Sequence, residues 1–150
     1  MTLYLDTSSL VKLYVEEAGS DHVAWLVAEA NLVVTSTVAY PESRAAFARL
    51  RREGALSPSG FAAVKRTFER QWTSYLSLDA TAPLCRAAGE LAETYGLRGF
   101  DSVHLASYAE VVQRAAADDV SFSSFDVRLN EAVTKLNRKL KRKPRRPSKT

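Results

Sequence analysis

The chain has 150 residues, of which 46% are hydrophobic, and this is enough to bury the core of one domain. Its net charge of +4 is unevenly distributed, because residues 135–150 carry nine lysines and arginines and no acid, whereas residues 1–134 carry 12 cations against 17 acids. No segment approaches the roughly 18 apolar residues of a membrane span, and a carboxylate at Asp6 precedes any run long enough for a signal peptide. We therefore expect a soluble, cytoplasmic domain over residues 1–134, followed by a basic and partly helical tail over residues 135–150 that is suited to binding polyanions.

Short apolar segments alternate with amphipathic ones along the chain. Strands are predicted at Leu3–Leu5, Leu32–Ser36, Tyr75–Leu78 and Val120–Phe125. Helices are predicted at about Ser8–Glu17, Ser20–Ala30, Pro41–Arg52, Ser59–Ser74 and Ala82–Tyr95, from Asp101 onward, and from Asp126 to about Leu140. The alternation is typical of an α/β fold with a parallel sheet.

Two features of the predicted helices bear on packing and on partners. Phe61, Phe68 and Trp72 recur at three- and four-residue steps, which indicates either core packing or a face that binds a partner. The single cysteine, Cys85, excludes an internal disulfide and a thiolate metal site, and its apolar neighbours indicate a small core residue.

Four acids stand where a parallel α/β sheet places its ligands, beyond the carboxyl ends of the strands. Asp6 and Asp126 follow predicted strands, whereas Glu42 and Asp101 lie at the start of predicted helices, on their core-facing sides. Each acid taken alone has a structural explanation. The three aspartates can cap the helices that follow them, and Glu42 can face water while it interacts favourably with a helix dipole.

Together the four acids predict a cation site. Carboxylates about 4 Å apart repel each other by about 4 kcal/mol per pair at an effective dielectric of about 20, so four ionised acids in one cleft require a cation. An all-oxygen donor set favours Mg²⁺ or Mn²⁺ over zinc. Asp118 and Asp119 form a rival acidic pair, but Asp126 is preferred because it terminates a strand. His104 is expected to be a hydrogen-bonded core histidine and not a metal ligand.

The acids lie in four segments, LYLDTSSLVKLY around Asp6, TSTVAYPESRAAF around Glu42, LRGFDSVHLA around Asp101 and FSSFDVRLNEA around Asp126. With these segments in this order, the sequence over about residues 3–133 resembles the PIN-domain nucleases, and most closely the VapC-type ribonuclease toxins of prokaryotic toxin–antitoxin pairs. The resemblance implies a three-layer α/β/α sandwich with a short central parallel sheet of four to five strands. It also implies a Mg²⁺ or Mn²⁺ site made by the four acids, with Ser8 and Ser124 as supporting hydroxyls.

The function implied by the resemblance is metal-dependent hydrolysis of RNA by an endoribonuclease toxin. The implied partners are the RNA substrate, a cognate VapB-type antitoxin and a second copy of the chain in a homodimer. Family members usually end with a further short strand, whereas this chain continues into lysines and arginines. Two alternatives remain. One is a catalytically silent module that binds RNA or an antitoxin. The other is a phosphatase with Asp6 as nucleophile, although the second aspartate usual in that class is replaced by Ser8.

Overall fold

Strands and helices alternate in the computed structural model, which describes residues 1–115 and 119–142. Residue 142 is described by its backbone alone. The strands are β1 (Thr2–Leu5), β2 (Leu32–Ser36), β3 (Leu76–Leu78) and β4 (Val120–Ser123). The helices are α1 (Thr7–Val11), α2 (Ser20–Glu29), α3 (Ala39–Arg52), α4 (Pro58–Trp72), α5 (Ala82–Tyr95), α6 (Gly99–Arg114) and α7 (Val127–Arg142).

The four strands form one parallel sheet in the order β3-β2-β1-β4. Strand β1 is paired on both sides, with Tyr4 opposite Val34 of β2 and Phe122 of β4. After β1 the chain builds outward through β2 and β3, and it then returns to the other side of β1 to form β4. The gap between β1 and β4 is therefore the switch point of the topology, where open α/β sheets bind their ligands.

Helices cover both faces of the sheet. Since successive side chains of β1 point to opposite faces, each face has its own apolar cluster. Leu3 and Leu5 lie in one apolar cluster, which also contains Val23 of α2, Phe47 of α3 and Phe68 of α4. Tyr4 lies in a second cluster, which also contains Leu105 of α6, Leu129 of α7 and the partly buried Tyr95 of α5. The result is the predicted α/β/α sandwich, with α1 to α4 on one face and α5 to α7 on the other.

The chain after residue 134 continues the last helix. Helix α7 runs to Arg142, and Leu136 within it is buried in the core cluster of that face. The first part of the predicted basic tail is therefore helical. The described residues contain no fifth strand, and residues 143–150 lie outside them.

Three details of the predicted elements are wrong. The first helix ends at Val11 and not near Glu17, because the N–H groups of the next three residues bond to carbonyls three residues back and form turns in place of a further α-helical turn. Strand β4 stops at Ser123, because the next side chain turns toward Asp6. Cys85 is exposed, since α5 buries only Leu84 and Ala88, one turn apart on its other side.

The aromatic residues of α4 belong mainly to the core. Phe68 is fully buried, and its ring centroid lies 5.2 Å from that of Tyr14, 5.4 Å from Phe47 and 5.5 Å from Trp72. Trp72 and Phe61 are partly buried in the same cluster. The core-packing interpretation of this stripe is therefore correct.

Within the described part of the chain, none of the helices is long and apolar enough to cross a membrane.

Replacing Phe68 with alanine is expected to lower the free energy of unfolding by about 3–5 kcal/mol, the usual cost of removing a buried aromatic ring. Trp25→Ala is the matched control, because the Trp25 side chain is 58% exposed and its loss should change stability by about 0.5 kcal/mol or less. Urea unfolding followed by circular dichroism measures both. Equal midpoints for the two variants would contradict the central position of Phe68.

Candidate active site

All four predicted acids line one cleft of about 350 Å³ at the carboxyl edge of the sheet. Asp6 follows β1 directly, Glu42 lies in the first turn of α3, Asp101 lies in the first turn of α6, and Asp126 precedes α7. The cleft thus draws on elements from both faces of the sandwich. Of the rival pair, Asp118 lies outside the described residues, and Asp119 precedes β4 and so stands at the opposite end of that strand from Asp126.

Asp6 is the buried member of the set, with only 3% of its surface exposed. Its carboxylate accepts hydrogen bonds from the Ser9 backbone N–H at 2.9 Å, the Ser8 hydroxyl at 2.7 Å and the Ser124 hydroxyl at 2.6 Å. Asp6 therefore caps α1 and also lines the cleft. Burial raises the pKa of the Asp6 carboxyl, although the hydrogen bonds from Ser124, Ser9 and Ser8 oppose this shift.

The two predicted supporting serines also join the segments that carry Asp6 and Asp126. The Ser8 hydroxyl accepts a hydrogen bond from the Phe125 backbone N–H at 2.8 Å, and the Ser124 hydroxyl accepts one from the Asp126 N–H at 3.0 Å. Because both hydroxyls donate to Asp6, the loop after β4 is fixed relative to the end of β1.

Glu42 is held by two side chains from other elements. It accepts hydrogen bonds from the Thr7 hydroxyl at 2.7 Å and from His104 Nε2 at 3.0 Å. Burial alone would raise the pKa of the Glu42 carboxyl, but the hydrogen bonds from His104 and Thr7 outweigh it and lower the pKa. Glu42 is therefore an ionised carboxylate near neutral pH.

His104 is a hydrogen-bonded core histidine, as predicted, and is 2% exposed. Its Nδ1 lies 3.0 Å from the Tyr4 hydroxyl, and its Nε2 faces Glu42. Since a carboxylate can only accept, Nε2 carries the proton and Nδ1 accepts from Tyr4. Sequence reasoning missed this contact with Glu42, although the position of His104 one helical turn after Asp101 places it on the same side of α6.

Arg98 was also missed, and it contacts two of the acids. Its Nε donates to Asp101 Oδ2 at 2.9 Å, and its Nη2 donates to Asp126 Oδ2 at 3.4 Å. The Arg98 side chain is 77% exposed, so these contacts are made at the mouth of the cleft. Asp126 additionally caps α7 by accepting from the Leu129 N–H at 2.8 Å. The spacing of Arg98 three residues before Asp101 was the available sequence signal.

The donor set of the cleft is suited to a hard cation. Each acid has protein partners, and in the part of the chain that the structure describes no three histidine, cysteine, aspartate or glutamate side chains already form a metal cage. The four acids nevertheless present only oxygen donors to one cleft, and Asp6 carries a poorly hydrated carboxylate there. Arg98 is exposed enough to move away from Asp101 and Asp126, so the residues fit Mg²⁺ or Mn²⁺ after a side-chain rearrangement.

Replacing Asp6 with asparagine is expected to raise the melting temperature at pH 7 in the presence of EDTA by a few degrees, the effect of about 1 kcal/mol in a domain of this size. The raised pKa means that the ionised carboxylate costs free energy in the folded state. Below the unfolded-state pKa of about 3.9 the carboxyl is neutral in both states, so the advantage of the variant should vanish as the pH falls from 8 to 4. Thermal unfolding across this range measures it, and a less stable variant at pH 7 would contradict it.

Comparisons with known proteins give the family of the chain. Residues 3–132 match the PIN domain family. Two relatives from Mycobacterium tuberculosis, the ribonucleases VapC45 and VapC49, are each 39% identical to this chain over 105 residues, which cover 70% of this chain and 73% of the relative. The crystal structure of VapC20 from the same species, described as a sarcin–ricin loop cleaving toxin, matches with a TM-score of 0.61 at 20% identity, over 87% of this chain and 94% of that one. At 20% identity, the likeness to VapC20 shows the fold alone. The chain therefore belongs to the PIN-domain family and, within it, to the VapC ribonucleases.

Proposed function

We propose that this protein is a metal-dependent endoribonuclease that acts as the toxin of a toxin–antitoxin pair. The observation that carries the proposal is the convergence of Asp6, Glu42, Asp101 and Asp126 on one cleft at the topological switch point of the sheet. The names of the 39% identical relatives, ribonucleases VapC45 and VapC49, support RNA as the substrate. The description of VapC20 as a toxin is consistent with the biological role.

The proposed metal ligands are the four acids. Mg²⁺ or Mn²⁺ bound there would lower the pKa of an attacking water and neutralise the charge that builds on the phosphate and on the leaving oxygen. Ser8 and Ser124 hold the Asp6 carboxylate in place, and Thr7 and His104 hold that of Glu42. Fixed ligands of this kind keep a cation site organised before the substrate arrives.

The proposed reaction is hydrolysis of a phosphodiester. The water oxygen forms a bond to phosphorus, the bond from phosphorus to the 3′-oxygen breaks, and that oxygen takes up a proton. The products carry 5′-phosphate and 3′-hydroxyl ends. Arg98 supplies a planar cation that can bind phosphate oxygens in pairs once its contacts with Asp101 and Asp126 are released.

Purified protein is expected to cut RNA in the presence of Mn²⁺ and to lose this activity in EDTA. Asp101→Asn should lower the cleavage rate by about 100-fold or more, the scale found when a group that stabilises transition-state charge is removed. Asp119→Asn is the matched control, because this exposed acid lies at the other end of β4 and should not affect cleavage. Undiminished cleavage by the Asp101 variant would contradict the proposal.

The proposed partners are RNA, a VapB-type antitoxin and a second copy of the chain, in the cytoplasm. A partner cannot use Phe68 for docking, since this ring is fully buried, so the suggested aromatic face of α4 is reduced to the partly buried Phe61 and Trp72.

Light scattering of the purified protein should give the mass of a dimer. Co-expression with the neighbouring open reading frame should yield a complex that inhibits cleavage. A monomer that forms no such complex would contradict both expectations.

A further inference from the structure

Two phenylalanines at the cleft are exposed, although the other phenylalanines of the described residues are buried or partly buried. Phe100 is 56% exposed and Phe125 is 44% exposed, whereas Phe47 and Phe68 are fully buried. Each exposed ring directly precedes a cleft acid, Phe100 before Asp101 and Phe125 before Asp126. Their position is what distinguishes these two rings from other exposed apolar side chains such as Trp25, because both lie where an occupant of the cleft would contact them.

Phe125 is held in place by its neighbours. Its backbone N–H donates to the Ser8 hydroxyl at 2.8 Å, and the Lys12 ammonium lies 4.3 Å from its ring centroid. The ring also lies so close to Gly19 that a Cβ atom at that position would be 2.6 Å from Phe125 Cε1. Phe125 is therefore a fixed ring, and it lines the same cleft as the four acids.

Phe100 lies with Asp101 and Arg98 at a second hollow next to the cleft. It lines a hollow of about 390 Å³ together with Glu42, Arg98 and Asp101. The two hollows share these three residues, so the ring of Phe100 lies beside the cleft that contains Phe125. An occupant of the cleft thus has one aromatic ring in each of two adjoining hollows.

The cleft also contains cations suited to a chain of phosphates. Lys12, Arg49 and Arg98 line it along with the acids. Single-stranded nucleic acids combine these two needs, since their phosphates pair with cations and their unstacked bases lie on aromatic rings. A base in a duplex is covered on both faces by its neighbours and cannot use such a ring without leaving the stack.

We propose that Phe100 and Phe125 are stacking platforms for two bases of the RNA that flank the phosphate to be cut. This inference rests on the proposed ribonuclease function and adds to it two residues that position the RNA. The rings touch the substrate but take no part in bond breaking.

Binding of a short fluorescently labelled single-stranded RNA tests the proposal, with the full chain carrying Asp101→Asn so that the RNA stays intact in Mn²⁺. Phe100→Ala and Phe125→Ala should each weaken binding about 5- to 150-fold, the range found for the loss of one base–aromatic stack. Binding of a duplex of the same sequence should change by about twofold or less. Trp25→Ala is the matched control, because this exposed ring stacks on His22 outside the cleft and should leave binding unchanged.

Substitutions that keep bulk or aromatic character separate stacking from simple apolar contact. Phe→Tyr at either position should restore binding, whereas Phe→Leu should remain weak, and 2-aminopurine in the RNA should lose its quenching on the alanine variants. Unchanged affinity of the alanine variants, full rescue by leucine, or an equal loss of affinity for duplex RNA would overturn the proposal. Cleavage by the unmodified chain in Mn²⁺ is measured separately, so that its absence counts against the ribonuclease function and not against the stacking.

Discussion

The site depends on a buried carboxyl group that accepts hydrogen bonds from two distant parts of the chain. An ionised acid with 3% of its surface exposed is unfavourable unless its oxygens are hydrogen-bonded. Asp6 meets this requirement with the Ser9 N–H and the hydroxyls of Ser8 and Ser124. Those same hydroxyls accept from the backbone of the loop after β4, so satisfying Asp6 also fixes the position of Asp126.

The partners of the remaining acids differ between the interior and the mouth of the cleft. Glu42 is ionised against a buried histidine and a threonine, whereas Asp101 and Asp126 contact an arginine whose side chain is 77% exposed. An exposed ion pair contributes little to stability, so its cation can exchange at low cost. Thr7 and His104 therefore fix the position of the Glu42 carboxylate, whereas Arg98 can leave Asp101 and Asp126 when another cation, such as the proposed metal ion, takes its place.

Sequence reasoning predicted the parallel α/β sheet and the four acids that line the cleft, because both leave a periodic or positional mark in the chain. Asp6 and Asp126 stand at strand ends, and Glu42 and Asp101 stand at the start of amphipathic helices. Sequence reasoning could not assign the hydrogen-bond and ion-pair partners of these acids. The contact of His104 with Glu42 joins residues 62 positions apart. The spacing of Arg98 and Asp101 indicates that pair alone, and not the contact of Arg98 with Asp126, which lies 28 positions away. The early end of the first helix was missed because the apolar pattern continues past Val11, where the backbone tightens to hydrogen bonds that reach three residues back.

The pairing of β1 with β4 has a consequence for synthesis. The Ser124 hydroxyl and the Asp6 carboxylate are 118 positions apart in the chain, and β4 is the last strand of the sheet to be translated. A nascent chain that has not yet released β4 from the ribosome lacks Asp126 and one of the donors that Asp6 needs, and the free edge of β1 has no partner. The complete set of acids can therefore form only after β4 and Asp126 have emerged. Until then the growing polypeptide lacks the proposed metal-binding cleft.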